Sequence, residues 1–80
     1  MPNWTHQDDA LHRTFTFGDF TEAFAFMTRV AFAAEAAGHH PEWTNVYNTV
    51  RVSLRTHDAG NTVTDKDHAL AAAIDAIYGS

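Results

Sequence analysis

The 80-residue chain contains no cysteine, which removes disulfides, thiolate nucleophiles and cysteine-type zinc sites together. Neither thiol redox chemistry nor a zinc finger is open to it, and any catalysis must come from histidines and carboxylates. Basic residues are scarce: Arg13, Arg29, Arg51, Arg55 and Lys66 stand scattered against ten acidic residues, for a net charge of -5. Without a basic patch, direct nucleic-acid binding is not expected. No apolar run approaches the roughly 20 residues that span a bilayer, and Met-Pro-Asn-Trp-Thr-His lacks the basic and apolar regions of a secretory signal. No membrane association is expected, and the expected location is the cytoplasm. Repeats, low-complexity tracts and linkers are also missing.

What is present is a globular composition, 45% apolar and 19% charged, with aromatics spread along the chain. A domain this small buries a limited core, so association with further copies is expected to help it. Six histidines in 80 residues matter more than the net charge, because histidine titrates nearest to neutral pH.

Trp4, a polar turn-like stretch from His6 to Ala10, and the run Leu11 to Phe17 predict a hairpin with a short first strand. In that run Leu11, Arg13, Phe15 and Phe17 alternate with His12, Thr14 and Thr16, the period of a strand with one face buried. Asp19 with Glu22 three residues later forms a capping-box pattern, and Gly38 is a natural helix stop; the predicted helix spans 19–37. Its apolar stripe is read as Phe20, Phe24, Met27, Ala31 and Ala34, widened by Phe26, Val30 and Ala33, with Phe20, Phe24 and Met27 in the core. Trp43 to Tyr47 and Thr49 to His57 read as two strands joined at Asn48, with Arg51, Arg55 and His57 on the polar face of the second. Thr64 and Asp67 supply a second cap before a stripe of Leu70, Ala73, Ile74 and Ile77. The order is ββαββα. Connections this short exclude parallel crossovers, so the fold class is α+β: a two-layer domain with a four-stranded antiparallel sheet carrying two helices on one face.

Glu35, His39, His40 and His57 are the informative set. The first three lie at a helix C-terminus and its exit loop, where the negative end of the helix dipole favours protonated imidazole and poises such groups as acids or bases. Pro41 cannot continue the helix and restricts His40 to an extended backbone, so the adjacent imidazoles point in distinct directions. His57 supplies a second wall. Two other readings stand beside this one: histidines solvated in a surface loop, and a metal site, since three imidazoles and Glu35 are zinc-type ligands. Adjacent His39 and His40 argue against the metal, because helical ligand pairs sit three or four residues apart. Trp4 and Trp43 are open to a core or interface role or to stacking on a flat heterocycle. Arg51 and Arg55 suit an anion, an exposed strand face or a subunit contact.

The runs Phe26-Met27-Thr28-Arg29-Val30-Ala31, Ala34-Glu35, His39-His40-Pro41-Glu42-Trp43 with Asn45-Val46-Tyr47-Asn48, and Thr56-His57-Asp58 resemble the pterin-4a-carbinolamine dehydratase family, over nearly the whole chain from Trp4 to Ile77. The resemblance implies one domain over residues 1–80, lacking the N-terminal helix of many relatives, assembled as a homodimer or homotetramer. It implies a hydro-lyase that dehydrates a small-molecule pterin, 4a-hydroxytetrahydropterin, in tetrahydrobiopterin recycling, with no cofactor and no metal. His39 and His57 would be the acid and base, in either order, and His40 would position the substrate. Glu35, Pro41, the pocket tryptophan Trp4 and an acidic residue at the start of the last helix, Asp67 or Asp65, would contact it. A capping role for that acidic residue is equally open. Relatives carry a glycine-rich turn with leucine after the last histidine, where this chain has Gly60-Asn61-Thr62-Val63, one residue longer. The same fold also implies an alternative, a non-catalytic binding module that aids dimerisation or assembly of another protein.

Overall fold

The computed structural model describes residues 3–79. Its elements are β1 (Thr5–Gln7), β2 (Ala10–Thr16), α1 (Phe20–Ala37), β3 (Glu42–Val46), β4 (Thr49–Leu54) and α2 (Asp65–Tyr78), with a 3-10 turn at His57–Ala59 before the last helix. β1 and β2 are joined by Asp8 and Asp9, both left-handed with φ of 53° and 58°, as a tight hairpin turn requires to match the twist of its strands. β3 and β4 are joined through Tyr47, also left-handed at φ 51°. That uncommon conformation for a bulky residue is held by Asn45, whose Nδ2 donates to the Tyr47 and Thr49 carbonyls. Asn48 exchanges hydrogen bonds with the Phe17 backbone.

The sheet is antiparallel throughout, in the order β1-β2-β4-β3. Register sets Leu11 opposite Leu54, Arg13 opposite Val52 and Phe15 opposite Val50. Because successive side chains alternate, these residues share one face, and both helices cover it. Phe15 centres the core, with Trp4, Phe26 and Tyr78 rings 4.8 to 6.0 Å from it. Arg13, on the same inner face, lies over the Phe15 and Tyr78 rings and pairs with Asp75 at 2.5 Å. The opposite face, with His12, Thr14, Arg51 and Ser53, is polar. Among the described residues no helix is long and apolar enough to cross a membrane.

Two expectations are corrected. The buried residues of α1 are Ala23, Phe26, Val30 and Ala34, one position earlier than Phe24 and Ala31, while Met27 keeps a half-buried place against the core. Phe20 and Phe24 are 47% and 55% exposed, and Phe32 is 75% exposed. Both stripes satisfy helical spacing, so periodicity does not choose between them. The choice is made by the rings already on the sheet: Phe26 packs at 4.8 Å from Phe15 and 5.0 Å from Phe17, while Ala23 lets the helix approach. Second, β4 ends at Leu54, so His57 lies in the following turn rather than on the strand's polar face. The chain leaves the ladder because Thr56 turns its side chain inward to Asp67 and pairs its backbone with Thr62 instead.

Candidate functional site

The site is assembled where the C-terminus of α1 meets the N-terminus of α2. Gly38 adopts the left-handed conformation. Its N–H donates to the Glu35 carbonyl and the next N–H, of His39, donates back to Ala34, the Schellman arrangement that closes a helix. This turn throws His39 across to α2, where its Nε2 lies 2.5 Å from Asp67 Oδ1. Asp67 is 0% exposed. Its Oδ2 accepts from Thr56 Oγ at 2.8 Å and from the Thr64 N–H at 2.9 Å, the latter being half of a capping box with Thr64. A carboxylate only accepts, so His39 donates from Nε2. Burial by itself raises the affinity of Asp67 for a proton, but hydrogen bonds from His39, the Thr64 N–H and Thr56, with the charge of His39, outweigh it and hold the carboxyl below its usual range.

His40 points the other way, as the following proline predicts, and its Nε2 lies 2.8 Å from Glu35 Oε1 on the exposed surface of α1. His57 stands on the facing wall, with Nδ1 2.7 Å from Asn61 Oδ1 and Nε2 3.6 Å from Glu42 Oε2. Glu42 also pairs with Arg55 Nε at 3.2 Å. Gly38, His39, His40, Pro41, Glu42, Thr56, His57, Asp58 and Lys66 line one open groove of about 300 Å³, at the small end of ligand clefts.

The structure therefore brings His39, His40, Pro41 and His57 together. Glu35 lies outside the groove wall and reaches it through His40. Asp67, expected among substrate contacts, is sealed behind His39 and can act only through that ring. Trp4 is not brought to the groove: its ring is buried at 6% exposure beside Phe15, and Nε1 donates to Asp75 Oδ1 at 2.9 Å. Asp75 is eight residues beyond Asp67 on α2, about 12 Å along the helix. An indole committed to the core and to a carboxylate has no free face for a ligand at that distance. Trp43, opposite Val52, packs against the core. Glu42, Thr56, Asp58, Lys66 and Asn61 belong to the site and were not singled out from the sequence. Glu42 stood inside the histidine motif and Lys66 beside the cap, but nothing in their spacing indicates which way they face. Among the described residues no group of three or more His, Asp or Glu side chains is placed to hold a metal ion.

Fold and site together define a small two-layer α+β domain whose histidine-lined groove has one imidazole backed by a buried carboxylate. A family profile described as "Pterin 4 alpha carbinolamine dehydratase" matches residues 1–77, and the chain belongs to that family. A Rhodopseudomonas palustris protein named "Putative pterin-4-alpha-carbinolamine dehydratase" is 65% identical over 71 residues, covering 89% of this chain and 69% of that one. The crystal structure of a "transcriptional coactivator/pterin dehydratase" from Brucella melitensis superposes with a TM-score of 0.91 at 46% identity, covering 96% of this chain and 83% of that one. A pterin dehydratase-like protein identified as a RuBisCO assembly factor in the alpha-carboxysome has a TM-score of 0.77 at 27% identity, covering 96% and 88%.

Proposed function

We propose that this chain dehydrates a 4a-hydroxytetrahydropterin to the quinonoid dihydropterin. The observation that carries the reading is the convergence of His39, His40 and His57 on one groove in a member of this family. The C–O bond at the 4a carbon breaks, the hydroxide leaves with its electron pair and takes a proton to become water, and a ring nitrogen gives up a proton. No change of oxidation level is involved, so two proton-transfer groups suffice. His39 and His57 fill those roles from opposite walls. His40, held by Glu35, and Pro41 position the bicyclic ring, while Asp67 fixes the orientation of His39. Positioned imidazoles contribute roughly 10²–10⁴-fold each.

The test is the dehydration rate of freshly generated 4a-hydroxytetrahydropterin, followed by absorbance, with wild type, His39→Ala, His57→Ala and the double variant. Acceleration by wild type that falls about 10²-fold or more in the double variant is the expected result. No acceleration by folded wild type would defeat the reading.

A second reading, a binding module, draws on the exposed Phe20, Phe24 and Phe32 of α1 and on the relatives described as a coactivator and an assembly factor. The exposed Phe20 and Phe24 rings, 5.7 Å apart, support a protein contact on this helix. Self-association into a homodimer or homotetramer is the partner we propose for it.

A further inference from the structure

We infer that Asn61 is a positioning residue for His57: its side-chain carbonyl holds the ring in the Nδ1–H tautomer, so that Nε2 carries the lone pair on that wall of the groove. The catalytic consequence rests on the dehydratase reading, whereas the tautomer is a property of the fold and is measured separately.

The ring of His57 is 63% exposed, so packing does little to orient it. Among the described residues the ring makes its one hydrogen bond at Nδ1, 2.7 Å from Asn61 Oδ1. A carbonyl oxygen only accepts, so Nδ1 carries the hydrogen, and a neutral ring then has its lone pair on Nε2. Free imidazole side chains favour the opposite, Nε2–H, form. Among the described residues Nε2 makes no hydrogen bond; the carboxylate of Glu42, itself paired with Arg55, is 3.6 Å away, and Asp58 and Lys66 are further charged groups on the same groove.

Asn61 is itself held firmly. It follows Gly60, and both are left-handed, with φ of 87° and 59°, a region asparagine tolerates better than most residues. Its N–H donates to the Thr56 carbonyl at 3.1 Å, the Gly60 N–H to the His57 carbonyl at 3.2 Å, and the Thr56 N–H to the Thr62 carbonyl at 2.8 Å. The loop is thus closed at both ends on Thr56, a buried residue whose hydroxyl is bound to Asp67. A glycine at position 61 would satisfy this backbone; only the amide reaches the histidine.

The test is a two-bond proton–nitrogen NMR spectrum of the ¹⁵N-labelled full chain, at a pH where the rings are neutral, for wild type, Asn61→Gly and Asn61→Asp. Glycine keeps the left-handed backbone and deletes the acceptor; aspartate keeps an acceptor. The expected result is the Nδ1–H pattern for His57 in wild type and in Asn61→Asp. In Asn61→Gly the tautomer ratio shifts about two- to tenfold toward Nε2–H, the range of one exposed hydrogen bond. Dehydration kcat should fall by a similar factor in Asn61→Gly with KM nearly unchanged, and recover in Asn61→Asp. A residue that merely shaped the turn would give no such recovery. An Nε2–H pattern in wild type, or the same pattern in wild type and Asn61→Gly, overturns the inference. The expected NMR pattern in a wild type that does not accelerate dehydration leaves Asn61 as the positioning residue and defeats the dehydratase reading instead.

Discussion

Replacing Asp67 with asparagine tests the joint between the two helices. Three donors converge on its carboxylate: His39 Nε2, Thr56 Oγ and the Thr64 N–H, at 2.5, 2.8 and 2.9 Å, in a position with 0% exposure. An asparagine can accept from two of them through its oxygen, but then turns an NH₂ toward His39. That ring must either reverse its tautomer or break away. Losing a buried, charge-assisted partner costs about 2–4 kcal/mol, near the lower end of breaking a buried ion pair, because part of the network survives. Domains of this size lose roughly 4–8 °C of Tm per kcal/mol, so a drop of roughly 8–32 °C at pH 7 is expected. Calorimetry or circular-dichroism melts across pH give the second reading. The folded carboxyl ionises at lower pH than the unfolded one, whose value is about 3.9. Its stabilisation is therefore complete above that value and is lost as pH falls through the lower, folded one. The gap between wild type and Asp67→Asn should close as pH falls below about 4. A variant within about 0.5 kcal/mol of wild type at pH 7 would refute the argument, since that is the range of an inconsequential surface change. So would a gap that widens toward pH 3.

Trp4→Phe keeps the edge contact with Phe15 and loses the bond to Asp75, so about 1 kcal/mol of stability should go while dehydration is unchanged; a loss of activity at intact stability would return Trp4 to the substrate site. If the proposed self-association uses this face, Phe24→Glu with Phe32→Glu, at two exposed rings, should shift sedimentation toward monomer and lower the melting temperature only as far as association had raised it; unchanged sedimentation would refute the proposed contact. Leu54→Ala, at a fully buried sheet position, should cost about 2–5 kcal/mol in urea unfolding, and a cost under about 1 kcal/mol would mean that the site collapses.

Much of this protein was legible locally. Alternation in Leu11 to Phe17 specified which face of β2 is buried, including Arg13 among apolar neighbours. Asp19, Gly38 and Thr64 marked helix ends to within a residue, because capping is a contact between residues a few positions apart. The motif Glu35-x-x-x-His39-His40-Pro41 placed two imidazoles at a helix end with divergent directions, and the order of elements determined the α+β class. Tertiary structure decided the rest. Two stripes one residue apart on α1 have the same period, and only the Phe15 and Phe17 rings, brought by the sheet, select Phe26 over Phe24. The strand pattern continued to His57 on paper, but the buried carboxylate of Asp67 draws Thr56 inward and ends the ladder at Leu54. Trp4 went to the core, and Asp67 behind His39, because burial is a property of what packs from elsewhere in the chain. Local periodicity carries no information about those partners.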